Sequence, residues 1–254
     1  MRTTTNPAIR NLLVTSGTAL PRAGAAAPAR TSKYRPTGTN RPMTVDDVVA
    51  KSAVTLGTTV AAGVATVLFD LYAAVLPAAA AGLGLWLFLT FRLTASAGLT
   101  LAYATAQGVV TGGVTGLLDG AHPGLAAQAA LGTTGVFVAM LAVYKLRLLR
   151  LTTRKVKWFI AAAVGVVLLL LTEVLGAAVL GAEPGLRGGG FFPIAFSLLC
   201  VCLAAFSFLL GFEAADRMIR HGVAADWAWY LAFGLVGTLL WLYTELLWLL
   251  WSFR

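Results

Sequence analysis

LLWLYTELLWLLWSF, residues 239–253, is predominantly apolar on every face of a helix and carries a single acid, Glu245. A stretch of this kind is read as membrane-embedded, because a helix that is hydrophobic all round has no solvent face. Extended back to residue 226, it reaches the roughly 20 apolar residues needed to cross a bilayer. A charge at the centre of such a helix costs at least about 2.5–3.5 kcal/mol, so an ionisable residue there is a functional candidate by default.

The rest of the chain agrees with this segment. It is 254 residues long, 59% hydrophobic and 11% charged. A soluble domain carries about 25% charged residues, so this is an integral membrane protein. The apolar pattern predicts an all-α bundle of seven transmembrane helices, at about 52–69, 72–91, 95–118, 124–144, 157–181, 190–212 and 226–251. No evenly spaced alternating segments suggest a barrel. Residues 1–45, rich in Thr, Pro, Arg, Gly and Ala, predict a flexible, disordered tail ahead of a membrane domain at 46–254. Pro77 is expected to kink the second helix, whereas Pro193 falls in the first turn of the sixth, where proline is tolerated. Gly112, Gly113 and Gly116 are positions where a neighbouring helix can approach closely. Asp46 and Asp47 can cap the first helix, and Asp226 reads as a helix-start residue.

Alternating the connections from side to side places 17 of the 19 Lys and Arg residues on one face. Arg187 and Arg254 are the exceptions. This positive-inside bias predicts a cytoplasmic N-terminus and an extracytoplasmic C-terminus in the cell membrane. It also argues against nucleic-acid binding, since the basic residues flank spans and meet anionic headgroups. Cys200 and Cys202, two apart in one apolar run, give no disulfide framework or metal site. No enzyme motif stands in a credible context, and no catalytic residue or cofactor is expected.

The acids are therefore the candidates. Glu173, in VVLLLLTEVLGAAVL, serves either as an interhelical hydrogen-bonding group or as part of a polar pathway. Glu213, in FSFLLGFEAAD, is either an interfacial acid or half of a functional pair; alternatively Asp216, three residues on, is the functional inner acid and Glu245 belongs to another polar cluster. Glu245 either locks two helices together or senses protons. Two carboxylates brought together would share protons and titrate as a unit. They could also hold a transient Ca²⁺, whose preferred ligands are carboxylate and carbonyl oxygens. A straight last helix, however, puts Glu245 about 28 Å from Asp226 at 1.5 Å per residue. Pairing with Glu213 thus requires the start of that helix to be bent, at Gly234 or Gly237, or displaced.

The series MRTTTNPAIRN, NRPMTVDDVVAKSAVTLG, AALGTTGVFVAMLAVYK, FSFLLGFEAADRMIRHG and AWYLAFGLVGTLLWLYTELLWLL resembles the Bax-inhibitor family of membrane proteins. It looks like the YccA-like branch found in actinobacteria. The resemblance implies seven helices with the last near the centre, and a pH-sensitive Ca²⁺ leak. It implies that Glu213 and Glu245 form the pH-sensing pair and that Arg92, in LFLTFRLTASAG, is a counter-ion latch. Gln107 and Gly211 stand where relatives carry acids. They motivate the alternative of a non-conducting protein that regulates a membrane protease or other stress component, with the basic run KLRLLRLTTRKVK (145–157) as its docking surface.

Overall fold

The structure is a computed structural model that describes residues 41–146, 153–180 and 191–253, without the side chains at 153, 155, 170, 171 and 173–180. Seven α-helices occur among the described residues: α1 (Val45–Leu68), α2 (Val75–Arg92), α3 (Ala97–Ala121), α4 (Leu125–Lys145), α5 (Thr153–Leu180), α6 (Phe191–Arg220) and α7 (Ala228–Ser252). Short 3₁₀ turns, Leu71–Ala74 and Ala225–Trp227, lead into α2 and α7. α1, α4, α6 and α7, together with α2 and its leading turn, are long and apolar enough to cross a membrane. The protein is accordingly a multi-pass membrane protein. α5 adds a shorter apolar stretch, Val156–Leu169, and α3 is diluted by Gly, Thr and Gln.

The first helix begins with a capping box. Thr44 Oγ1 accepts from Asp47 N, and the Asp47 carboxylate accepts from Thr44 N at 3.0 Å. This satisfies two backbone donors that the helix start would otherwise leave unpaired. Pro77 does not kink α2. The helix starts at Val75, so the proline occupies the first turn, where its missing N–H has no intrahelical partner to lose. Pro193 sits in the first turn of α6, as the sequence indicates.

α1 and α3 pack backbone to backbone. A Cβ at Gly112 would run into the Gly63 backbone, and one at Gly108 into the Thr59 carbonyl. Gly113 and Gly116 make room for Val75 and Tyr72 in the same way. The opposing face of α1 is a row of buried threonines. Thr55, Thr59 and Thr66 return their hydroxyls to the carbonyls of Lys51, Thr55 and Ala62 at 2.7, 3.0 and 2.8 Å. Small residues with internally satisfied hydroxyls allow the close approach that holds helices together where lipid supplies no hydrophobic driving force. The glycines of α3 pointed to this contact; the threonine face of α1 is an addition from the structure.

α7 packs against α6, α1, α4 and α3. It is one continuous helix, unbroken at Gly234 and Gly237. Phe208 and Leu242 are fully buried where α6 meets α7, and Leu247 is buried against Leu118, Leu125 and Ala129 from α3 and α4. The outward faces expose large apolar side chains, among them Leu76, Phe91, Phe191 and Phe192. Such a surface suits lipid and not water.

The four residues before α1 belong structurally with the bundle. Met43 N donates to Val223 O at 2.8 Å, and Ala225 N donates to Arg41 O at 3.1 Å. Lys51 Nζ donates to Ala225 O at 2.7 Å and lies 5.4 Å from the Trp229 ring centroid. Met43, Val48, Met218, Trp227, Ala228 and Leu231 form an apolar cluster beneath this clip. Residues 41–45, within the predicted tail, are thus fixed structure, and the rest of that tail, residues 1–40, lies outside the described residues.

Candidate carboxylate site

Glu245 lies in the interior, with 2% of its surface exposed. Trp241, one turn earlier on α7, donates its indole N–H to Glu245 Oε1 at 3.2 Å. Trp241 in turn packs on the buried cluster of Val166, Cys200 and Leu203 from α5 and α6. The carboxylate therefore lies on the side of α7 that faces those two helices. Leu242 and Leu247, both fully buried, flank it with hydrocarbon along α7. A carboxylate this enclosed depends on the donors it finds, and here a neutral indole N–H is one of them. The i,i+4 spacing of Trp241 and Glu245 was legible in the sequence, but the tryptophan reads there only as one of several aromatics.

Glu213 has a different setting. It is 29% exposed near the end of α6, and Arg217 Nε donates to its Oε1 at 2.9 Å. Asp216 repeats the arrangement with Arg220 one turn later. The Tyr144 hydroxyl, from the end of α4, lies near Asp216, Glu213 and Arg220. These groups form a small charge-balanced cluster at the helix end.

The structure does not bring Glu213 and Glu245 together. Gly211 is level with Leu235, whose Cδ2 would lie 2.8 Å from a Cβ placed there. Ala204 packs with Leu242 in the same antiparallel register. Glu245 is therefore level with about residue 201, some 12 residues from Glu213, or about 18 Å along the bundle at 1.5 Å per residue. With α7 unbent, the condition for pairing is not met. Arg92, the last residue of α2, is exposed and forms no salt bridge with Glu213 or any other acid among the described residues. Glu213 takes its cation from its own helix instead. Glu173 lies on α5, but its side chain is outside the described residues. So are residues 147–152, the middle of the basic run between α4 and α5.

Gln107 meets α2 near Gly82 and donates to the hydroxyl of Tyr103 at 3.1 Å. Tyr103 is 3% exposed and stacks edge-on against Phe233 of α7. Asp119 caps α4 by accepting from Gly124 N and Ala126 N at 3.0 and 2.9 Å. Among the described residues, no group of three or more His, Cys, Asp or Glu side chains is placed to hold a metal ion.

A family model described as Bax inhibitor 1 like matches residues 7–254. No curated protein and no solved structure matches the chain. The matched span takes in every described helix, including the buried acid of α7 and the paired acids of α6. The chain belongs to the Bax inhibitor 1 like family.

Proposed function

We propose that this protein is a pH-sensitive leak pathway for Ca²⁺ or another cation, with Glu245 as its protonation site. The observation that carries the reading is a carboxylate 2% exposed in the middle of an apolar helix. Gaining or losing a proton there changes the charge of a group buried on α7, the helix that packs against α6, α1, α4 and α3. Such a change biases one packing of the bundle against another. The Glu213–Arg217 and Asp216–Arg220 pairs replace the Glu213–Arg92 latch as the charged layer at the end of α6.

All seven helices are read as spanning, with the N-terminus cytoplasmic. α3 supports this despite its polar content, because Thr100, Gly108, Gly112 and Gly113 are buried against neighbouring helices. Placement in the YccA-like branch rests on the motifs at the N-terminus and in the last two helices. The reading is of a transport protein without a resident cofactor.

Reconstitution tests it. Proteoliposomes holding a calcium indicator should fill faster than protein-free vesicles, and the excess rate should change with pH. Equal filling with and without protein sinks the leak reading.

A further inference from the structure

We propose that α5 and α6 form a binding site for an anionic phospholipid, independent of any cation pathway. Trp158, Phe159 and Ala162 of α5 and Leu203 and Phe206 of α6 line a groove of about 390 Å³. Its walls are almost entirely apolar, and Phe159 and Phe206 pack together in it with ring centroids 5.3 Å apart. Ala162 supplies the space: a larger residue at this position would fill the groove.

The groove has a charged end. Arg154, Lys157, Trp158 and Ala162 stand at i, i+3, i+4 and i+8 and so share one face of α5. Arg154 and Lys157 are exposed, and Trp158 is 69% exposed. From Arg154 to Ala162 is about 12 Å along the helix, a length that the upper part of an acyl chain covers. Phe159 packs beside Phe206, so Arg154 lies about level with residue 211 of α6, where the apolar run of that helix gives way to charged residues. A tryptophan at this depth suits the interface between headgroups and hydrocarbon.

One lipid satisfies both ends. Its phosphate would meet Arg154 and Lys157, and one acyl chain would run past Trp158 into the groove. Net negative charge is favoured because the two cations have no acidic partner among the described residues, whereas Glu213 and Asp216 are each neutralised by an arginine of α6. Basic residues beside a groove between membrane helices are the recognised chemistry for such headgroups.

Tryptophan quenching by brominated lipids provides the test. The full-length protein is reconstituted in phosphatidylcholine containing a minor fraction of phosphatidylglycerol, with bromine on the acyl chains of one lipid or the other. The part of the signal due to Trp158 is the difference between wild type and Trp158→Phe. Brominated phosphatidylglycerol should quench that part with a preference of roughly tenfold over its share of the bilayer. Arg154→Gln/Lys157→Gln should abolish the preference, and Ala162→Phe should lower quenching by both lipids. Quenching in proportion to lipid composition, in the wild type, would show ordinary solvation by bilayer and overturn the site. So would a preference that survives loss of both cations.

Discussion

Glu245 and Glu213 occupy adjacent helices in the same family motif region, yet they live in different solvents. Glu245 is enclosed, flanked by leucines, and receives an N–H from Trp241. Glu213 is part-exposed and shares an ion pair with Arg217 one turn away. A carboxylate paired with an arginine at a helix end keeps its charge at little cost. One embedded mid-helix has its charge state set by what the bundle provides. The proposed protonation site is accordingly the first acid and not the second.

Breaking the comparison begins with distance. Cysteines at 213 and 245, in a chain with Cys200 and Cys202 replaced by alanine, should fail to form a disulfide on oxidation. Cysteines at 211 and 235 should form one readily, because bridging demands Cα atoms within about 7 Å. An efficient 213–245 bridge would restore the paired site. The next largest effect is Glu245→Lys, which buries a cation facing an indole N–H. It should cost on the order of 3 kcal/mol or more, read as a large loss of thermal stability in detergent, while Glu213→Lys remains mild.

Smaller changes sharpen the contrast. Trp241→Phe keeps an aromatic ring on the Val166–Cys200–Leu203 cluster but removes a donor from a buried acceptor. The expected destabilisation is about 1–3 kcal/mol, measured by thermal unfolding; no change would mean that other groups satisfy the carboxylate. Smallest of all should be Glu213→Gln. An exposed i,i+4 ion pair contributes roughly 0.3–0.5 kcal/mol, so its melting temperature should stay close to wild type.

Much of the fold was legible because lipid imposes a simple code. Apolar runs marked seven helices near their positions among the described residues, five of them long and apolar enough to cross a membrane, and Gly112, Gly113 and Gly116 marked a real close contact. What escaped the sequence was relative height. The helices carrying Glu213 and Glu245 are joined by a short connection, and only the register of α6 against α7 shows how far apart the two acids sit. Pro77 was misread for a related reason: its effect depends on whether it falls in the first turn or the interior, and the helix start is set by the preceding 3₁₀ turn. The clip between Arg41–Met43 and Val223–Ala225 consists largely of backbone hydrogen bonds across most of the chain, which leave no residue pattern to find. For the site itself, the apolar run around Glu245 made its burial legible, whereas its height relative to Glu213 was not.

The pH profile of Ca²⁺ entry into proteoliposomes, recorded for Glu245→Gln and Glu213→Gln beside wild type, tests the central claim most directly. Glu245 as the protonation site predicts a profile flattened by Glu245→Gln and retained by Glu213→Gln. A Glu245→Gln variant that keeps the wild-type profile would contradict it.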